Sequence, residues 1–154
     1  MTEILDMCCG SRMFYFDKKN ENVIFGDIRA ENHILCDGRK LKINPDVLFN
    51  FRALPFCDNK FNMVIFDPPH LIRGGENSWM VKKYGILKET WKNDISAGFK
   101  EAFRVLKTGG TLIFKWNETQ IPVSHILKLT DEKPIIGHRS GKASKTHWVT
   151  FLKN

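Results

Sequence analysis

The sequence predicts an α/β fold: a doubly wound, mostly parallel sheet of about seven strands, closed by an antiparallel hairpin, in a single domain spanning residues 1–154. Three observations predict it. Short apolar runs alternate with polar connections and with one long segment of helical periodicity. Asp6, Asp27 and Asp67 each close such a run, which is where ligands bind in open parallel sheets. The run Asn62–Phe66 is almost wholly apolar, as central parallel strands are when both their faces are covered.

In order along the chain, Ile4 to Cys8 reads as a buried strand stopped by Gly10, and Ser11–Asp17 as a short helix. Asn22–Asp27 is a second strand with an acid at its end. His33–Cys36 and Lys40–Ile43 flank Asp37-Gly38, a strong hairpin turn signal, so a small β-excursion precedes a third strand at Asp46–Phe49. The fourth strand, Asn62–Asp67, ends at two prolines, which cannot donate to a ladder. Leu71–Gly85 is polar and contains glycines, the composition of a loop or lid. A helix over Lys88–Leu106 follows from Trp91, Ile95, Phe99, Phe103 and Leu106 at helical spacing. Lys107–Gly110 is its cap and turn, Thr111–Lys115 the fifth strand, Val123–Leu129 a short helix, and Pro134–Gly137 and His147–Leu152 the closing strands.

With 154 residues, 42% of them hydrophobic, and 12 Phe and 4 Trp, the chain can bury one large core and has no room for a second domain of its own. The sequence lacks a long apolar span and its first residues lack the layout of a signal peptide, so the expectation is a soluble cytoplasmic protein without membrane association. Cys8, Cys9, Cys36 and Cys57 form no C-x-x-C pair and read as reduced thiols; His33 and Cys36 alone do not make a zinc site, and no metal is expected. The net charge of +7 is unevenly placed. Residues 1–67 carry 9 Lys and Arg against 10 Asp and Glu, whereas residues 68–154 carry 15 against 7. A basic second half favours a polyanionic partner, because phosphate contacts release condensed counterions.

The first turn, Cys8-Cys9-Gly10-Ser11, has one glycine where a dinucleotide fingerprint has three, which argues against a pyrophosphate ligand and a nicotinamide-dependent oxidoreductase. Asp27, 17 residues after Gly10, is placed to accept two ribose hydroxyls. Asp67-Pro68-Pro69-His70 closes the fourth strand, preceded by Asn50-Phe51-Arg52-Ala53-Leu54-Pro55-Phe56. In these two segments the chain resembles the Rossmann-like class I methyltransferases that use S-adenosylmethionine, and among them the enzymes that methylate amino groups of adenine and cytosine, whose fourth strand ends in Asp, Asn or Ser, then Pro-Pro and an aromatic residue. The resemblance runs over the whole sheet, but only residues 67–70 are specific to the amino-group enzymes. It implies S-adenosylmethionine as cofactor, with Asp6, Cys8 and Gly10 at its methionine end, Asp27 on its ribose and Asn50 and Phe51 flanking its adenine. His70 replaces the commoner Tyr or Phe, and Asn50 an acid. No separate target-recognition domain is expected within these 154 residues.

An exocyclic amine on a nucleobase is a poor nucleophile because its lone pair is delocalised into the ring. Two acceptors aimed at its hydrogens favour a pyramidal nitrogen, and the Asp67 carboxylate and Pro68 carbonyl are adjacent candidates. Pro69 stiffens the turn, and His70 offers a flat face on which an extruded base stacks. Trp79, Lys82, Lys83 and Tyr84 combine rings and ammonium groups as single-stranded nucleic-acid sites do. Lys115 and Trp116 end the strand beside the catalytic one. Arg139, Lys142 and Lys145 lie in a basic hairpin connection suited to phosphates. The expected partner is nucleic acid, DNA before RNA, with adenine the favoured base. A protein amide acceptor and a non-catalytic nucleic-acid-binding module are the alternatives.

Overall fold

A computed structural model describes residues 1–154. The strands are β1 (Ile4–Asp6), β2 (Val23–Asp27), β3 (Glu31–Ile34), β4 (Lys40–Ile43), β5 (Val47–Leu48), β6 (Phe61–Phe66), β7 (Leu106–Asn117), β8 (Ile136–Arg139) and β9 (Thr146–Leu152). The helices are α1 (Trp79–Tyr84), α2 (Trp91–Val105) and α3 (Val123–Leu127). Seven strands form one sheet in the order β5-β2-β1-β6-β7-β9-β8, and β3 and β4 form a separate antiparallel pair around the Asp37-Gly38 turn. Only β9 runs against its neighbours β7 and β8. The fold is thus the doubly wound, mostly parallel sheet that the strand ends predict, and its order reverses between β1 and β6.

Register assigns the two faces. Leu5, Val64, Leu112 and Phe151 are lateral partners on one face, as are Phe66, Phe114 and Val149. These side chains, with Phe99 and Ala102 of α2 and Ile126 of α3, belong to a core of 21 buried residues. Gly98 lets α2 approach, since a Cβ there would lie 2.4 Å from the Phe66 ring. The opposite face holds a cluster of only three buried residues, Cys9, Val23 and Phe25, with Ile4 and Tyr15 against it.

Four local expectations are corrected. Ser11–Asp17 forms turns rather than a helix. Arg12 takes a left-handed φ of 57°, and its guanidinium sits 3.8 Å from the centre of the Phe25 ring while donating to the Lys18 and Asn44 carbonyls. Tyr15 turns inward to Asp6, so side-chain anchors replace the helical ladder. Leu71–Gly85 is not wholly loop, because it contains α1. Lys107–Gly110 belongs to β7 as a bulge opposite Phe61–Met63, and Gly109 donates its N–H to the Lys153 carbonyl. Finally, α3 stops at Leu127.

Candidate active site

Because β2, β1 and β6 are neighbours, Asp27, Asp6 and Asp67 come side by side at one sheet edge, beyond the switch point where α/β folds place ligands. Asp27 and Asp67 border a cavity of about 430 Å³, within the usual range for small-molecule and cofactor pockets. Cys8, Gly10, Asp27, Phe51 and the whole Asp67-Pro68-Pro69-His70 turn line it, as do Lys82, Lys83 and Tyr84 of α1.

The turn after β1 is built on carboxylates. Gly10, at φ 50°, donates its N–H to Asp27 Oδ2 at 2.8 Å, and Arg29 donates its backbone N–H to Oδ1 at 3.0 Å. The spacing of 17 is therefore a direct contact. Asp6 is fully buried, accepting from the Cys8 N–H at 3.0 Å and the Tyr15 hydroxyl at 2.8 Å. Burial pushes its carboxyl up to about 7, against the lowering effect of those two donors. Asp6, expected at the methionine end of the cofactor, is buried behind the cavity lining, where it shapes the turn through Cys8 and Tyr15. Asn50 likewise stays out, accepting the Arg52 N–H with its side chain, while Phe49 and Phe51 form that wall.

Asp67 is held above the usual carboxylate range by burial, partly offset by Lys115, whose Nζ lies 3.2 Å from Oδ2. His70 is buried beneath Tyr84, with ring centres 5.2 Å apart, and burial followed by the Lys115 charge depresses its imidazole to about 4. A neutral ring is thus presented at neutral pH. Trp116 is fully buried, and its indole N–H donates to the Ile121 carbonyl. Expected on the substrate side, it packs edge-on behind His70 at 6.3 Å. The phase of Leu112, Phe114 and Trp116, two residues apart on one strand, was the signal for the core face.

Helix α1 lies over the cavity. Leu87 donates its N–H to the Leu71 carbonyl at the root of this segment, and the Gln120 amide oxygen accepts the N–H groups of Ile72 and Arg73. Arg29 reaches from the end of β2 to the carbonyls of Lys82 and Lys83 at 2.9 and 3.4 Å. Trp79 is half exposed outside the cavity, with the Lys83 ammonium 5.6 Å from its ring. Sequence reasoning missed Arg29, Glu31 and His33, all of which line the cavity. Arg29 and Glu31 follow Asp27 by two and four residues, and that proximity was the available signal.

Arg139, Lys142 and Lys145 are exposed in the β8–β9 connection. Since β8 runs parallel to β7, this connection opens at the sheet edge that carries Asp67. Arg139 pairs with Glu118 at 3.3 Å. No helix of the structure is long and apolar enough to cross a membrane.

No protein-family model matches the chain, and no curated protein matches it by sequence. Solved structures do match by fold. A protein from Pyrococcus horikoshii superposes with a TM-score of 0.64 at 15% identity, covering 99% of this chain and 82% of that one. A SAM-dependent methyltransferase from Methanosarcina mazei gives 0.57 at 12%, covering 98% and 92%. A predicted O-methyltransferase from Agrobacterium tumefaciens gives 0.56 at 14%, covering 99% and 74%. The chain has the Rossmann-like fold of the class I SAM-dependent methyltransferases.

Proposed function

We propose that the chain is an S-adenosylmethionine-dependent methyltransferase acting on an exocyclic amino nitrogen of a nucleic-acid base, with DNA adenine as first choice and RNA as second. One observation carries this reading: Asp67-Pro68-Pro69-His70 shares a cavity with the Gly10–Asp27 pair. Asp27, assigned to the ribose hydroxyls in this reading, and Asp67, assigned to the amine hydrogens, border the same cavity.

The donor-set chemistry fits the cofactor. Asp27 keeps lone pairs for two ribose hydroxyls beyond the two backbone bonds it accepts, and Phe49 and Phe51 supply apolar walls for a flat base. When bound, S-adenosylmethionine supplies an electrophilic methyl group. The chain's own residues then orient the acceptor. The Asp67 carboxylate and the Pro68 carbonyl accept from the amine, favouring a pyramidal nitrogen, and the carboxylate stabilises the positive charge that develops there. The neutral His70 imidazole stacks on the base. Helix α1 narrows the entrance, so the acceptor is an extruded base or a molecule of that size. That covering is also the observation that favours a second reading, a small-molecule amine as acceptor.

The test is incubation with isotope-labelled S-adenosylmethionine and separate pools of DNA, RNA, protein and small metabolites, followed by digestion and identification of the labelled product. Label on a base amino group is expected. Asp67→Ala is expected to lower transfer by about a hundredfold or more with the fold retained, the scale of removing one preorganised polar partner. Wild-type transfer by Asp67→Ala in a single-turnover assay would sink the amino-group mechanism.

A further inference from the structure

Lys115 and Trp148 are lateral partners on β7 and β9, and β7 lies against β6, whose end carries Asp67. The Lys115 ammonium is 3.2 Å from Asp67 Oδ2, 5.3 Å from the centre of the Phe14 ring and 5.5 Å from that of Trp148. Phe14 and Trp148 meet edge to face at 5.4 Å, so the two rings form one wall. Both members of the ion pair are mostly shielded, with 18% and 19% of their side chains exposed. In such a setting charges interact far more strongly than on an open surface.

We propose that Lys115 is a positioning residue of the site: held against the Phe14 and Trp148 rings, its ammonium grips one oxygen of the Asp67 carboxylate and leaves the other to accept from the acceptor amine. The surroundings make this pairing consequential. Asp67 faces Asp6 on β1, the Cys8 thiol and the Tyr15 hydroxyl, none of which carries a compensating positive charge. His70 is held neutral by burial and by Lys115 itself. Lys115 is thus the cation that keeps Asp67 an acceptor; a protonated carboxyl would present a donor to the amine instead. The rings limit the places the ammonium can occupy, and each cation–π contact adds to its retention.

The inference rests on the amino-transfer reading for its purpose, but its test does not need an acceptor. Carbon-13 NMR of the Asp carboxyl carbons follows the titration of Asp67 in the free protein, with Asp67→Asn assigning the signal. Lys115→Met is expected to raise the Asp67 midpoint by about one to three pH units, the effect of removing an opposite charge at this distance. Lys115→Arg is expected to titrate near the wild type. If Lys115→Met does not fold, Lys115→Gln carries the same expectation. A midpoint in either neutral variant equal to that of the wild type would overturn the proposal, because a purely structural lysine would not move it. An unmoved midpoint with Asp67→Ala inactive in transfer removes the positioning role alone. A moved midpoint with Asp67→Ala fully active removes the amino-transfer reading and keeps the ion pair.

Discussion

At the scale of single residues, the three acids of one sheet edge have been given different tasks by their surroundings. Asp27 is saturated with backbone N–H donors on its inner side, Asp67 has a lysine partner, and Asp6 has only a hydroxyl and one amide in full burial. Asp6 therefore makes stability depend on pH. Its carboxyl titrates near 7 when folded and near 3.8 in its ordinary state, so between those values the native chain binds the extra proton. Stability from this group is complete below about pH 4, falls as pH rises and is lost above about pH 7. Asparagine imitates the protonated carboxyl. Asp6→Asn is expected to be more stable than wild type at pH 8, by an amount on the order of a few kcal/mol, and to converge with it near pH 4. Chemical denaturation at the two pH values reads the difference, and equal gaps at both would show that Asp6 does not titrate in this range.

At the scale of elements, the long connection between β6 and α2 is shaped by contacts that lie far away in sequence. Gly85 ends α1 with φ 79° and ψ −178°, a region open essentially to glycine alone. A Cβ there would also lie 3.2 Å from Pro69 Cγ, so a side chain at the cap would crowd the Asp-Pro-Pro-His turn. Gly85→Ala is expected to cost about 1–3 kcal/mol locally and to raise amide exchange across α1 by about tenfold. Exchange confined to wild-type rates in α1 would mean that the cap is not needed to seat it. The stretch from Leu54 to Asp58 is similarly clamped by α2. Arg104 donates to the carbonyls of Leu54 and Phe56, and Glu101 accepts the Leu54 N–H at 2.7 Å. No helix is needed to bring β5 to β6 because these side chains hold the crossover.

For the whole molecule, the two sheet faces are unequal. Helices α2 and α3 share a core of 21 buried residues, whereas the other face is covered chiefly by the turns after Gly10, over a cluster of three. Charge is unequal as well, and the basic second half places Lys142 and Lys145 at the sheet edge that carries Asp67. Arg139 is already matched by Glu118, so the three cations predicted to touch phosphate are not equivalent. If the proposed nucleic-acid partner binds here, Lys142→Glu with Lys145→Glu is expected to flatten the dependence of its affinity on salt by about 0.7–0.9 in log–log slope for each phosphate no longer neutralised. Arg139→Glu should change it less. Binding assays from about 50 to 200 mM salt decide this, and a slope unchanged in the double variant would remove the connection from the interface.

The sequence by itself determined the order of the main-sheet strands, the long helix α2 and the three acids at strand ends, because apolar periodicity and turn residues act locally. It also placed the Asp37-Gly38 hairpin and the Asp67-Pro68-Pro69-His70 turn. Only the tertiary structure decided which of those residues meet. Whether Asp6 faces ligand or backbone depends on Tyr15, drawn inward where a helix was expected. Whether Lys115 or Trp116 reaches Asp67 depends on which face of β7 α2 covers, since adjacent residues on a strand point opposite ways. The pairing of Lys115 with Asp67, 48 residues earlier, follows from β7 lying beside β6, and no local pattern encodes that adjacency.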